Sequence, residues 1–371
     1  MSIKVLHLRS SSGFYGAERV ILTLMKRGVE NDLETKLACI ENYLTGDQSL
    51  LKNAEQSGMD VFEIPCRRRL DFTTIRSLIH YCRENEINII HSHDYKSHFY
   101  GIMATRFVNC RHVATQHGKT SGDVKNRVYE LIENTLLKMV DHVTVVSQSL
   151  YDDLSCRVGE NVSLIANGVD EASFNPTIKG FGKEHWGFGQ STFVFGTVAR
   201  MSEEKGHRIL IEAFTKTHLQ HGNTGLLLVG TGPLFSELKE FTREKGMEDC
   251  VKFVGTQNEI DRVLNDLDCY VSPSLTEGMP MSILEAMASA LPIVATDVGA
   301  VGYLLRGGVG RLAHPDNVDS LAKEMNYIIE NKNQLQVMGG KARKKAEDEF
   351  SAGKQSREFS RIYRQLHAYN L

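Results

Sequence analysis

Short runs of β-branched and aliphatic residues alternate along the chain with longer segments whose apolar positions recur at helical spacing. In the first half the runs predict strands at Lys4–Leu8, Thr35–Ile40, Val61–Ile64, Asn88–His91, His112–Thr115, His142–Val146 and Ser163–Ile165. Helical spacing fills the intervals at Ala17–Gly28, Gln48–Ser57, Phe72–Glu86 and Gly122–Met139. The second half repeats the theme, with strands at Phe193–Val198, Thr224–Val229, Val251–Val254, Asp268–Val271, Ile293–Thr296 and Gly310–Leu312. Alternation of this kind predicts an α/β fold of parallel sheets covered by helices on both faces.

A chain of 371 residues exceeds one ordinary core and suits two domains. Between the halves, 171–190 contains Pro176, Gly180, Gly182, Gly187 and Gly189 without a clear period and reads as the linker. The expected division is therefore residues 1–175 and 190–349. The polar tail 350–371 carries Phe359, Ile362, Tyr363 and Leu366 at helical spacing, the mark of a terminal helix that packs back on the first domain. Two doubly wound domains facing across a cleft would bind a ligand there, at the C-terminal ends of their strands.

Composition narrows the class. The chain is 41% hydrophobic and 24% charged, as in water-soluble globular domains. Lys and Arg total 43 against 46 acidic residues, so no basic field exists to hold nucleic acid, and the longest basic tract is Arg67-Arg68-Arg69. The seven cysteines are scattered and form no Cys-x-x-Cys, which points to reduced thiols in a cytoplasmic protein. No apolar run approaches the roughly 20 residues needed to span a bilayer.

Candidate chemistry concentrates after the run Asp268–Val271, in Ser272-Pro-Ser-Leu-Thr-Glu277-Gly278-Met279-Pro280-Met281-Ser282-Ile-Leu-Glu285-Ala-Met-Ala. Gly278–Ser282 form a loop and a first helical turn, whose free amides and positive dipole end favour an anion such as a phosphate. Carboxylates on either side, Glu277 and Glu285, suit the hydroxyls of a sugar and a ribose. A helix start with a favourable nearby acid explains the same residues equally well.

The spacing Glu277-x7-Glu285 resembles the E-x7-E signature of glycosyltransferase family 4, enzymes of the GT-B fold. The resemblance implies that Glu285 holds the donor ribose, Glu277 the transferred sugar, and the amides of Gly278, Met279, Met281 and Ser282 the diphosphate. Gly196-Thr-Val-Ala-Arg200-Met-Ser-Glu-Glu-Lys205-Gly-His is similar to the family's Gly-x-x-x-Arg-x-x-x-x-Lys-Gly element, which makes Arg200 and Lys205 the cations that neutralise a departing diphosphate. Gly230-Thr-Gly-Pro resembles a family turn near the nucleotide, and as a dinucleotide fingerprint it fails, since Phe235 stands where glycine is required. Gly13-Phe-Tyr15-Gly16-Ala-Glu-Arg resembles the family's glycine-rich N-terminal loop and brings Gly16 towards the donor phosphate, with Gly13, His93 and Lys96 on the acceptor side. His117, in Thr-Gln-His-Gly, matches a histidine that reaches the donor sugar.

The implied activity is retaining, metal-independent transfer of a hexose-type sugar from a nucleotide-diphosphate donor, preferentially a UDP-sugar, to a hydroxyl of a glycan or lipid-linked acceptor. No cofactor is implied. Arg67, Arg68, Arg69, Arg76 and Arg83 interleave with Leu70, Phe72, Ile75 and Leu78, a pattern that serves either peripheral contact with the cytoplasmic membrane face or a solvated amphipathic helix. Other readings stay open: a nucleotide-sugar 2-epimerase of the same fold, a metal-dependent hydrolase built on His91, His93 and His98, and a non-catalytic binding protein. Asp266-Leu-Asp268 superficially matches a metal-binding D-x-D, but reads more simply as carboxylates at a helix-to-strand junction. The family pattern is broken at Tyr15 and Ala290, where glycine is usual, and at Gly299-Ala-Val-Gly-Tyr303, which lacks an expected carboxylate. A left-handed Ala290 would cost about 1 kcal/mol.

Overall fold

The computed structural model describes residues 2–10, 13–41, 46–68, 70–118, 124–159 and 161–368. Arg69, the start of the predicted helix at Gly122 and the last residues of the tail, 369–371, lie outside the described residues. The chain forms two compact units, Met1–Gly168 with Ala352–Leu371, and Val169–Ser351.

The first unit carries β1 (Ile3–Arg9), β2 (Leu33–Ile40), β3 (Val61–Ile64), β4 (Ile89–Ser92), β5 (Arg111–Gln116), β6 (His142–Val145) and β7 (Val162–Leu164), all parallel in the order β3-β2-β1-β4-β5-β6-β7. The second carries β8 (Phe193–Val198), β9 (Thr224–Val229), β10 (Val251–Phe253), β11 (Cys269–Ser272), β12 (Ile293–Thr296) and β13 (Gly310–Ala313), parallel in the order β10-β9-β8-β11-β12-β13. Every predicted strand has its counterpart, displaced by at most two residues at its ends, where hydrogen-bonded pairing and the apolar run do not stop at the same residue. Parallel neighbours require crossover helices, and those helices bury both sheet faces. In each sheet the winding reverses once, between β1 and β4 and between β8 and β11. The loops leaving the two strands at each reversal lie side by side, and this is where such sheets hold ligands.

The chain leaves the first unit at Gly168 and re-enters it at Ala352, and just inside the second unit Val169 N donates to Phe350 O (2.8 Å). The helix Ala352–Ala368 buries Phe359, Ile362 and Tyr363 with Ile3, Val5, Ile89 and Val113 of the first sheet. The segment 171–190, expected to be a linker, is integral to the second unit. Trp186 Nε1 donates to Asp266 (2.7 Å), Phe181 N and Gly182 N donate to the same carboxylate, and Arg262 lies over the Phe181 ring (3.9 Å). Its glycines serve turns in a packed strap, with Gly182 and Gly187 at positive φ. Asp268 accepts from Lys183 Nζ (2.6 Å) and Val194 N (2.7 Å), so both carboxylates of Asp266-Leu-Asp268 are spent on tying this strap to the sheet.

Candidate functional site

In the second unit, β8 runs into 199–206 and β11 into 273–280. Because β8 and β11 are neighbours, these loops meet, and Leu275 N donates to Glu204 O (2.8 Å). Lys205 Nζ lies 2.6 Å from Glu277 Oε1, which also accepts from Ser274 Oγ (2.7 Å). The lysine is 25% and the glutamate 10% exposed, enough shielding to strengthen the pair while leaving both reachable. Arg200 is exposed on the same loop. Burial works to raise the Glu204 carboxyl, but the Ser202 hydroxyl, Lys205 and Arg200 together hold it below its usual range.

The helix Met281–Ala288 opens at Pro280, whose side chain caps no amide. Its first turn carries Met281 and Ser282, and Glu285 follows one turn on, 2% exposed. Burial pushes the Tyr270 hydroxyl up to about 12, with the Ser282 hydroxyl bonded to it and the Glu285 charge nearby. Two glycines hold the surrounding loops in place. A Cβ on Gly230 (φ 125°) would sit 2.1 Å from Ala199 O, so only glycine lets the turn after β9 close on the Arg200 loop. Gly299 (φ 55°) likewise approaches Glu277 O, while Ala300 N donates to Gly278 O (2.9 Å). The loop with the non-family sequence therefore still buttresses Glu277 and Gly278, by backbone rather than by a carboxylate. Ala290 does adopt φ 56°, the strained conformation expected of it.

In the first unit, the loops after β1 and β4 meet in the same way. Arg9, the last residue of β1, donates from Nε to Glu18 Oε1 (2.9 Å), contacts it again through Nη2 (2.8 Å), and lies 3.7 Å from Asp94. Glu18 also accepts from Tyr15 N (3.0 Å), and Asp94 accepts from Ser10 N (2.8 Å) and from the amides of Lys96 and Ser97. Gly16 opens the helix Gly16–Gly28. Tyr15 precedes it in extended backbone (φ −123°), which needs no glycine, so the family departure there is tolerated. Gly13 lies against the Tyr15 ring. Lys96 Nζ donates to Glu41 O (3.1 Å).

His117, just beyond β5, has Nε2 3.2 Å from His93 Nδ1, and His93 Nε2 lies 3.0 Å from His7 Nδ1. His91 is held separately, Nδ1 to the Tyr363 hydroxyl and Nε2 to Thr115 Oγ1, both at 2.6 Å. Burial lowers His7, His98, His112 and His117 to about 3, with Arg9 adding to the effect on His117, and it holds His91 and His93 well below the usual range. All six rings are neutral near neutral pH.

The histidine-metal alternative is reshaped by these contacts. Among the described residues, the group whose donor atoms converge is His7, His91 and His93, within 4.8 Å, while His98 is turned to Ser92 Oγ (2.7 Å). Both His91 nitrogens are already hydrogen-bonded, and His7 and His93 hold each other, so a cation there would have to displace existing bonds. His7, Arg9 and Glu18 were given no role from the sequence, and Asp94 was considered only as the carboxylate of the histidine-rich metal alternative. The available signal was Glu18, three residues after Tyr15 at the position from which a side chain reaches back to cap a helix start.

The basic-apolar stretch divides in two. Ile75 and Leu78 are buried, whereas Leu70 (65% exposed), Phe72 (79%), Arg67, Arg68, Arg76 and Arg83 face solvent. No described helix is long and apolar enough to cross a membrane.

Comparison with known proteins follows the same two-unit division. A family model described as Glycosyltransferase Family 4 matches residues 14–173, and one described as Glycosyl transferases group 1 matches residues 181–345. The chain is 26% identical over 381 aligned positions to UDP-Gal:alpha-D-GlcNAc-diphosphoundecaprenol alpha-1,3-galactosyltransferase of Escherichia coli, covering 97% of this chain and 96% of that one. It is 26% identical to the putative glycosyltransferase EpsF of Bacillus subtilis over 79% of each chain. Among solved structures, Anabaena Alr3699/HepE in complex with UDP-glucose is similar with a TM-score of 0.86 at 21% identity, covering 98% of this chain and all of that one. A glycosyltransferase from Rickettsia africae gives 0.83 at 19% identity, with 98% of each chain covered.

Proposed function

The chain belongs to the family-4 glycosyltransferases of the GT-B fold, and on that premise we propose that it moves a hexose-type sugar from a UDP-sugar to a hydroxyl of a glycan or lipid-linked acceptor, with retention of anomeric configuration and without a metal ion. The observation that carries this reading is the cluster in the second unit: Lys205 on Glu277 at 2.6 Å, beside Arg200 and ahead of the helix start at Pro280. A departing nucleoside diphosphate gains negative charge. Two fixed cations and the first-turn amides of Met281–Ala288 meet that charge without reorganising, which is how such stabilisation lowers a barrier. Glu285, nearly dry, suits a ribose diol, and Glu277 suits a hydroxyl of the transferred sugar. On donor binding, Lys205 exchanges part of its contact with Glu277 for the phosphate, freeing a carboxylate oxygen for that hydroxyl. His117 supplies a second contact to the sugar. The leaving phosphate then takes the acceptor proton on the same face, so no side chain acts as covalent nucleophile.

The UDP preference is supported by the UDP-Gal in the name of the E. coli relative and by the UDP-glucose bound to the Anabaena protein. The diphosphoundecaprenol acceptor in that relative's name supports a lipid-linked acceptor here. Leu70 and Phe72, exposed among Arg67, Arg68 and Arg76, are suited to touch an anionic membrane face while that acceptor is engaged.

The test is turnover of a panel of nucleotide sugars with and without a diphospholipid-linked glycan acceptor, each with and without a strong chelator. The reading expects acceptor-dependent release of UDP, a retained product anomer and no effect of chelation. Loss of activity on chelation would favour the histidine-metal alternative, and an acceptor-independent 2-epimerised sugar would favour the epimerase.

A further inference from the structure

Three rings, His7 within β1 and His93 and the half-buried His117 just beyond β4 and β5, form one unbroken chain of contacts: His7 Nδ1 to His93 Nε2 at 3.0 Å, then His93 Nδ1 to His117 Nε2 at 3.2 Å. The rings of His7 and His93 are stacked at 5.3 Å and those of His93 and His117 at 5.4 Å, so the chain is packed rather than incidental. His7 is fully buried and His93 is 3% exposed. The two outer nitrogens, His7 Nε2 and His117 Nδ1, are buried with no hydrogen-bond partner.

A neutral imidazole has one N–H and one lone pair. Each inner contact needs a donor on one side and an acceptor on the other, since two lone pairs or two N–H groups facing each other at these distances repel. His93 has only one proton to give. If it donates to His7 it must accept from His117, and if it accepts from His7 it must donate to His117. The three rings are therefore confined to a common tautomer, all Nε2–H or all Nδ1–H, and no mixture satisfies both contacts. His7 Nε2 is left unmatched either way, as an N–H in one state and a lone pair in the other, so that end decides little. Free histidine prefers the Nε2–H form, and the coupling counts that preference three times in one direction.

We propose that His7 and His93 are positioning residues that hold His117 as its Nε2–H tautomer, so that the His117 Nδ1 lone pair accepts a hydrogen bond from a hydroxyl of the sugar being transferred. The second half of that statement rests on the sugar contact proposed for His117 above; the tautomer itself does not. His93 is 3% exposed, its carbonyl is anchored by Arg9, and its Nδ1 is held against His117 Nε2, so it is placed to fix the proton on His117. The device also lets a ligand at His117 impose its choice of tautomer on His7, two rings away.

The test is nitrogen NMR of the whole protein with 15N-labelled histidine near pH 7.5, reading the Nδ1 and Nε2 shifts of each ring, with signals assigned by the single variants His7→Asn and His117→Asn. The expected result is three neutral Nε2–H rings. A mixture of tautomers among the three, or three Nδ1–H rings, overturns the proposal, and this reading needs no substituted protein to be active. Kinetics supply the second arm. His93→Leu removes the acceptor for the His117 N–H, and kcat is expected to fall about tenfold with donor KM changed less. His93→Asn, whose amide oxygen can accept the same proton, is expected to recover to within about threefold of the parent. Full turnover by the Leu variant, or equal loss in Leu and Asn, overturns the positioning role. Undiminished turnover by His117→Ala instead removes the sugar contact assigned to His117, and leaves the tautomer result standing.

Discussion

The two units share one winding and use it for opposite electrostatics. In each, the loops that leave neighbouring strands at the reversal of strand order are stitched together, Ser10 to Asp94 in the first and Leu275 to Glu204 in the second. The first unit fills the region behind its loops with neutral imidazoles, six of which burial keeps uncharged. The second sets a partly exposed ion pair, Lys205 with Glu277, beside an uncapped helix start. The topology thus supplies a place for chemistry in both halves, and the residues at the strand ends decide its kind. A buried neutral ring suits hydrogen bonding to hydroxyls, while fixed cations and free amides suit a phosphate.

Acid separates the halves most strongly. Unfolded histidine titrates near 6.5, whereas burial lowers His7, His98, His112 and His117 to about 3 and holds His91 and His93 well below the usual range, so below about pH 6.5 the unfolded state binds more protons. Their contribution to stability is complete above that pH and declines as pH falls towards 3, by up to about 1.4 kcal/mol per ring per pH unit. Together the six should remove roughly 8 kcal/mol by about pH 5.5, comparable to the whole stability of many domains. In the second unit burial lowers His207 to about 4. The single tryptophan, Trp186, is buried in the second unit and reports on it alone. Acid titration should therefore lower far-UV circular dichroism before tryptophan fluorescence changes; coincident transitions would break the comparison.

A single bond sharpens it. Tyr363→Phe deletes the hydroxyl on His91 Nδ1 and leaves a buried ring nitrogen unmatched, at about 1–3 kcal/mol. Thermal unfolding followed by circular dichroism should show the loss in the first unit, with the tryptophan-reported transition unmoved. The smallest effect lies in the second unit. Ala290→Gly relieves a left-handed alanine and should stabilise by roughly 0.5–1 kcal/mol, raising the fluorescence-detected midpoint by a few degrees without altering turnover.

What was legible in the sequence follows the range of the interactions involved. Strands were legible because a strand buried on both faces is a local apolar run bounded by breakers, as at Phe193–Val198 and Ile293–Thr296. The residues of the second unit's candidate cluster could be picked out together because Glu277, the Pro280 helix start and Glu285 lie within nine consecutive residues, and Arg200 and Lys205 within six. Contacts between distant residues were not. His7 meets His93 across 86 positions, and His91 meets Tyr363 across 272, and no local period marks either pair. The strap 171–190 misled for the same reason. Its glycines suggest a free linker, while Trp186 and Phe181 are held by Asp266 and Arg262, some 80 positions later.

Steady-state turnover of the preferred nucleotide sugar by Arg200→Ala and Lys205→Ala reports whether the second unit's cations stabilise a departing diphosphate. Each change removes a charge that matters most in the transition state, so kcat should fall roughly 100- to 1000-fold while the unfolding midpoint shifts little. Parental kcat in both variants, with the donor and acceptor that the parent enzyme uses, would contradict the account.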